Sequence, residues 1–450
     1  MTPSRPKSSR RQFLKTAAAF AAPLIVPASA LGRSRPAPNE RVTVGLVGCG
    51  ERGMQVASDF LKDSRVQITA VCDVHDRHYR EHKWGEGKEL GREPGRRTIE
   101  AHYAGATNGG TYRGCVAASD FRELCDRSDL DAIIVATPDH WHALVALTAL
   151  QKGKDVYCEK PVTHHFAEGH RLVREVAERK AIFQVGSQQR SDPEFRQAVE
   201  LVRNGHLGTI ERVEVGLNTG YDKPRADATV TSPPAGLDYD FWCGPAPVLP
   251  YMRARHHRWW RGNRAYGGGV LMDWIGHHND IAMWGLGTDR SGPQRLEVTV
   301  WTMPDTDVYD TPVDYTFRSE YPGNVTVEVS NKHTEGTKFI GTDGWLFVNR
   351  GKVKASDPRW LEPDFNRGQW KAYLSPGHAQ NFIDGVLTRE ECICPVDIGH
   401  RSVTPGHLAY VSHAVGRPLT WDARKGEIIG DAEAQKLLVM PPYRSPWALG

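Results

Sequence analysis

Hydrophobic positions along the chain fall into two regimes. Between residues 42 and 185, short apolar, often β-branched runs at 42–47, 66–72, 132–136, 156–158 and 182–185 alternate with helical patterns at 54–62, 121–126, 140–152 and 167–180. Continuous apolar runs separated by helical stretches predict a parallel sheet covered on both faces. From about residue 211 the period shortens to two. Alternating runs at 211–217, 296–302, 324–329, 338–341 and 345–349 predict strands of a mainly antiparallel sheet, with helical patterns at 276–285, 377–389 and 405–415. The predicted architecture is therefore α/β: a doubly wound parallel sheet over 41–163, then an α+β unit over 164–450. Residues 81–114, rich in Gly, Arg and Lys and without a clean period, read as a surface insertion with room for a short helix.

The first forty residues belong to neither regime. The apolar stretch 17–30 contains Pro23 and Pro27 and falls short of the roughly 20 residues a membrane span needs. Ser9-Arg10-Arg11-Gln12-Phe13-Leu14-Lys15 precedes it and Ala28-Ser29-Ala30 closes it. A basic start, a short apolar run and a small-x-small end predict a signal peptide over 1–30, and the paired arginines resemble a twin-arginine signal. Residues 31–40 are a polar, Pro-containing linker. The expectation is cleavage after Ala30, export by the twin-arginine machinery to the periplasm, and no membrane attachment afterwards.

Composition adds exclusions. At 39% hydrophobic and 25% charged, the chain has ordinary globular usage. The net charge of +3 is more than accounted for by five basic residues in 1–30, so the body is nearly neutral and no nucleic-acid footprint is expected. Eight scattered cysteines with no CxxC read as mostly buried free thiols.

Three segments carry candidate chemistry. Gly48-Cys49-Gly50-Glu51-Arg52-Gly53 is a GxGxxG loop between a strand and a helix, and Asp73 ends the next strand twenty residues beyond Gly53. That is the spacing of a dinucleotide site: glycines for close approach to pyrophosphate at a helix N-terminus, a carboxylate for the adenosine ribose. Asp73 would repel a ribose 2′-phosphate and so favours NAD; Arg77 leaves NADP open. Thr137-Pro138-Asp139-His140-Trp141-His142 and Glu159-Lys160-Pro161 each follow a strand, where ligands of such sheets bind. Thr137, Pro138, His142, Glu159 and Lys160 are thus cofactor-binding candidates beside Gly48, Gly50, Glu51, Arg52, Gly53 and Asp73. Asp139 has an alternative use as a helix cap. In Gly267-Gly268-Gly269-Val270-Leu271-Met272-Asp273-Trp274-Ile275-Gly276-His277-His278-Asn279-Asp280, a helix entered at Asp273 puts Asp273 and His277 on one face. A carboxylate beside an imidazole suits a general base. Metal ligation by His277, His278 and Asp280 is a weaker alternative without supporting spacing, so no metal is expected. Residues 239–266 hold seven aromatics, among them Trp259 and Trp260, which suit stacking on sugar faces or core packing. His256, His257, Arg258 and Arg261 lie among them, within reach of substrate oxygens or of an acidic sugar.

Taken together, GLVGCGERG, the acid at 73, TPDHWH, EKP and GGGxxxDxxxHxxD resemble the glucose–fructose oxidoreductase, inositol dehydrogenase and rhizopine-catabolism family (Gfo/Idh/MocA). The resemblance implies a Rossmann domain followed by an α/β domain whose large open sheet carries the substrate and often builds a homo-oligomer. It implies that His277 takes a proton from a sugar or polyol hydroxyl, that Lys160 holds the reacting oxygen, and that Asp273 orients His277 or binds a neighbouring hydroxyl. Where the family has glycine two residues after the Asp, this chain has Ile275 with Gly276 next, which leaves His277 against His278 open. The expected activity is an NAD(P)-dependent sugar or polyol oxidoreductase; the alternative is a redox-neutral glycosidase or lyase that oxidises its sugar transiently. Export adds that the cofactor travels tightly bound, because a periplasm offers no pool for exchange.

Overall fold

The computed structural model describes residues 41–80, 86–105 and 110–449. The expected signal peptide and linker lie outside the described residues. The N-terminal strands are β1 (Val42–Val47), β2 (Val66–Cys72), a small hairpin of β3 (His78–Tyr79) and β4 (Glu89–Leu90), then β5 (Val116–Ala118), β6 (Ala132–Val135), β7 (Asp155–Cys158) and β8 (Phe183–Val185). Six of them form one parallel sheet in the order β5-β2-β1-β6-β7-β8. Val44, Leu46, Ile133 and Ile134 have no exposed surface, as expected of strands covered on both faces. The order reverses at β1, so a crevice opens where the carboxyl ends of β1 and β6 diverge.

Two sequence expectations change here. The sheet runs past the join expected at 163, because β8 is its last strand. And 81–114 is not a mere surface insertion: it supplies the crossover helix Arg92–Gly105 that a parallel β2–β5 pair requires. Its period is obscured because only Ile99 and Tyr103 are large apolar contacts, among ion-paired Arg96, Glu93 and Glu100.

The second sheet has nine strands: β9 (Ile210–Gly216), β10 (Arg295–Thr302), β11 (Asp314–Tyr321), β12 (Val325–Ser330), β13 (Gly336–Gly341), β14 (Gly344–Asn349), β15 (Lys352–Ala355), β16 (Leu419–Asp422) and β17 (Glu427–Ile428). Their order is β15-β14-β13-β9-β12-β11-β10-β16-β17, antiparallel except for β9 beside β12. Helices Gly269–Leu286 and Val396–Val415 pack against it. The latter starts nine residues before its predicted pattern, because it continues through Pro405. All eight cysteines are buried and free.

Candidate active site

The glycine-rich loop is shaped by contacts that only glycine permits. Gly48 has φ +95°, and a Cβ there would lie 2.5 Å from the Ala136 carbonyl oxygen. A Cβ on Gly53 would lie 1.9 Å from the Gly48 oxygen. Gly50 differs: φ is −71° and a Cβ would meet nothing within 4 Å. It borders a cavity of about 880 Å³ at the N-terminus of helix Glu51–Phe60. The space beside Gly50, with helix amides facing it, fits a pyrophosphate. Cys49 points the other way, against Gly95 of the crossover helix.

Asp73 lines the same cavity. Its Oδ2 accepts from the Cys49 amide at 2.8 Å and its Oδ1 from the His75 amide at 3.0 Å. Each oxygen keeps a lone pair for a ribose hydroxyl. Burial raises its pKa, and those two amides pull it back. Arg77 does not line the cavity and pairs with Glu89. Arg52 and Glu159 are committed to each other at 2.8 Å, with Gln188 Nε2 donating to the same carboxylate oxygen. Burial pushes Glu159 up, but Arg52 holds it below the usual carboxylate value. Glu51 is ion-paired with Arg80. Thr137 and Pro138 line the cavity. His142 does too, yet its ring nitrogens face the Pro161 and Thr137 carbonyls at 2.7 and 2.9 Å. Its ring is thereby occupied in tying two strand-end loops together.

The Gly267–Gly269 segment passes over Asp139: a Cβ on Gly267 would lie 3.2 Å from Asp139 Oδ2. Asp139 begins its helix without capping it, since the cap position is Pro138. Its Oδ2 is buried with no hydrogen-bond partner among the described residues. Burial pushes its pKa up to about 7, against the pull of Arg261 and with the help of Asp273.

Helix Gly269–Leu286 starts one turn before Asp273. The Lys160 ammonium donates to both the backbone oxygen and Oδ1 of Asp273, each at 2.7 Å, and Arg261 Nε lies 3.1 Å from the same Oδ1. Burial alone would raise the Asp273 pKa; Arg261 and Lys160 hold it well below the carboxylate range. The carboxylate–imidazole pair expected from the i,i+4 spacing is not formed. The two cations capture the carboxylate, and His277 Nδ1 has no hydrogen-bond partner among the described residues. His277 nevertheless lines the cavity. Burial, then the charges of Lys160 and Arg350, push its pKa well below the ordinary imidazole value, so it is neutral.

The helix is continuous through the displaced glycine. Gly276 lies against Val403 and the Lys160 side chain. His278, outside the cavity lining, stacks near Trp274 at 5.9 Å, so the register brings His277 and not His278 to the cavity. Asp280 receives both Nε and Nη2 of Arg190, at 2.7 and 2.8 Å, which removes it from any ligand set with the two histidines. Of the aromatic pair, Trp260 lines the cavity. Trp259 does not: it packs with Met252, Ala254, Val308 and Tyr309. Adjacent residues of a 3₁₀ turn point in different directions, so the two join separate apolar clusters and Trp260 also reaches the cavity wall. Sequence reasoning missed Asn218, Thr219 and Tyr221 after β9, and Arg350 in the β14–β15 turn, all of which line the cavity. Arg350 carries no local signal; only the sheet order brings it near Trp274, 76 residues earlier in the chain.

A glycine-rich strand–helix turn and the buried carboxylate of Asp73 on a parallel α/β sheet, with a strand-end lysine paired to an aspartate of the second sheet's helix, define the class, a dinucleotide-binding oxidoreductase fold. Residues 42–187 match the NAD-binding Rossmann fold of the oxidoreductase family, and residues 192–449 match its C-terminal alpha/beta domain. The chain belongs to the Gfo/Idh/MocA family. It is 38% identical over 175 residues to inositol 2-dehydrogenase 4 of Saccharopolyspora erythraea, covering 39% of this chain and 44% of that protein. It is 32% identical over 190 residues to glycosyl hydrolase family 109 protein 1 of Shewanella sp. strain MR-4, covering 38% and 37% respectively. These matches span less than half the length of each relative. Among solved structures, the aldose-aldose oxidoreductase of Caulobacter crescentus shares the fold, with TM-score 0.60 and 18% identity over 85% of this chain and all of that one.

Proposed function

We propose that the protein is an exported NAD(P)-dependent oxidoreductase that moves hydride between a sugar or polyol hydroxyl and a nicotinamide cofactor it keeps tightly bound. The observation that carries this reading is the Lys160–Asp273 pair, with His277 one turn further along the same helix, in the cavity that the glycine loop opens into. A dinucleotide lying along Gly48–Gly53 with its ribose on Asp73 supplies the hydride acceptor. Two of the three Lys160 ammonium protons go to Asp273, which leaves one for the reacting oxygen of the substrate. That proton stabilises negative charge growing on the oxygen. Neutral His277 is positioned to take the hydroxyl proton. Asp273 holds Lys160 and Arg261, so its role is to orient the lysine. Trp260 walls the cavity, its ring covered by Arg261 at 4.3 Å. Asp73, with Arg77 directed away from the cavity, supports NAD over NADP.

Retention of the cofactor follows from the Arg10-Arg11 signal, since a periplasmic enzyme has to carry its nucleotide out and regenerate it in place. A homo-oligomer through the open face of the nine-stranded sheet completes the reading. A redox-neutral glycosidase or lyase activity is the second reading; the family 109 relatives favour it, and the intact Lys160 favours plain oxidation. Mass spectrometry of the purified, denatured protein is expected to find a nicotinamide nucleotide. Single-turnover absorbance of the bound nicotinamide on adding sugars and polyols then tests the chemistry. Lasting reduction supports oxidation, whereas product with no net reduction supports the second reading. Protein that neither carries nor binds any nicotinamide nucleotide refutes both.

A further inference from the structure

The substrate end of the cavity holds more positive charge than it neutralises. Lys160 and Arg261 share the single carboxylate of Asp273. Arg258 and Arg350 line the same cavity with no carboxylate partner among the described residues. Their guanidinium groups lie over Trp259 at 4.9 Å and Trp274 at 5.3 Å. The cations nearer the glycine loop are neutralised: Arg52 by Glu159 and Arg80 by Glu51. The remaining acid at the substrate end, Asp139, is buried and partly protonated near neutral pH. His277 adds no charge, being held neutral by burial. Four cations thus line this end beside Asp273 and a partly ionised Asp139; Arg258 and Arg350 are exposed, and Arg350 also acts on Asp192, outside the lining.

A cleft with uncompensated charge of one sign and low-dielectric walls concentrates ions of the opposite sign. Guanidinium forks match carboxylates in particular. The pyrophosphate does not explain Arg350. Its cradle is at Gly50, whereas Arg350 lies beside Trp274, on the helix that carries Asp273 and His277. Resting on the oxidoreductase reading, we propose that the substrate is an acidic sugar whose carboxylate is held by Arg350, with Arg258 as the second cation. The hydroxyl presented to Lys160 and His277 is then fixed by the distance from that carboxylate, which gives the site its regiochemistry.

The test uses the cofactor-loaded protein and three matched pairs: glucose with glucuronate, galactose with galacturonate, mannose with mannuronate. Binding is read from tryptophan fluorescence, since Trp260 and Trp274 border the cavity. Reduction is read from the absorbance of the bound nicotinamide. At low ionic strength at least one uronate is expected to bind about tenfold or more tightly than its hexose, the scale of one charge-assisted contact. That advantage should shrink as salt rises. Arg350→Gln should lower the acid-to-neutral affinity ratio about tenfold, Arg350→Lys should restore part of it, and Arg258→Gln should lower it less. Hexoses that bind as well as uronates in all three pairs, or a ratio unmoved by Arg350→Gln, overturn the proposal. Uronates that bind with arginine-dependent preference without reducing the nucleotide leave the acid site standing and remove the oxidoreductase reading. Hexoses that reduce the nucleotide with no uronate preference do the reverse.

Discussion

Lys160 reaches Asp273 across 113 residues of sequence, and the pair decides what each member does. With Lys160 and Arg261 on its carboxylate, Asp273 stays ionised well into acid. Lys160→Ala and His277→Ala are each expected to lower single-turnover hydride transfer by about 10²–10⁴, the scale of a positioned acid or base. Both variants should retain nucleotide, since neither residue borders Gly50. His278→Ala should instead lower thermal stability, because its ring is fully buried, while transfer changes little. Transfer abolished in His278→Ala and intact in His277→Ala would reverse the assignment. Asp273→Asn leaves Lys160 and Arg261 without their shared carboxylate, so it should cost activity on the scale of Lys160→Ala. A mild effect, as for a residue that merely tunes an imidazole, would count against the lysine-orienting role.

At the scale of the element, the glycine loop separates folding from binding. Gly48→Ala and Gly53→Ala drive a methyl group into backbone, so both should lower the melting temperature of nucleotide-free protein. Gly50→Ala meets no protein atom and keeps an allowed φ, so stability should hold while nucleotide affinity falls. Equal loss of stability in all three would mean that Gly50 is structural. The loop was legible because a tight strand–turn–helix needs glycine at fixed offsets. Helix Arg92–Gly105 was not, because its apolar face is two large side chains wide and the surrounding arginines hide the period. The start of helix Gly269–Leu286 was read late, at Asp273 or 276, for a related reason: three glycines lead into it, and glycine signals a break when seen without its neighbours. Gly269, at φ +72°, fits there because a Cβ would lie 2.7 Å from the Thr311 side chain.

Across the whole molecule, the cavity walls come from both sheets. The segment between β9 and helix Gly269–Leu286 returns to the parallel sheet: the Asp76 amide donates to the Gly236 oxygen, Asp238 to Val74 and His140 to Tyr266. At this seam the rings of His78 and His257 stack at 4.0 Å, with His75 and His256 against them. Burial lowers His78 to about 3 and His75 to about 4, and elsewhere holds His140 and His378 at about 4 and His278 and His400 at about 3. Unfolded histidines titrate near 6.5, so between about pH 6.5 and pH 3 the unfolded chain binds more protons than the folded one. Stability from these neutral rings is complete above that range and is lost as pH falls through it. The melting temperature should therefore drop steeply from pH 7 to pH 4.5, and a flat profile would show that the rings are not buried as described. For the proposed export, changing Arg10-Arg11 to Lys-Lys should keep the protein in the cytoplasm, as fractionation would show; unchanged periplasmic yield would refute it.

The sequence by itself determined the parallel and antiparallel regimes, and it singled out the glycine loop, Asp73, Lys160, Asp273 and His277 as candidates, which the fold brings to one cavity. Each depends on a local period, a spacing or a short motif that the chain carries wherever it folds. Tertiary structure decided the rest. It gave Asp273 to Lys160 and Arg261 instead of His277, put Trp259 and Trp260 in separate apolar clusters with only Trp260 on the cavity wall, tied His142 to two loops, and brought Arg350 beside Trp274. Those outcomes turn on which charges and surfaces meet across long stretches of chain. Helical spacing lists the partners a residue can have. The lower free energy of a buried carboxylate between two cations selects the one it keeps.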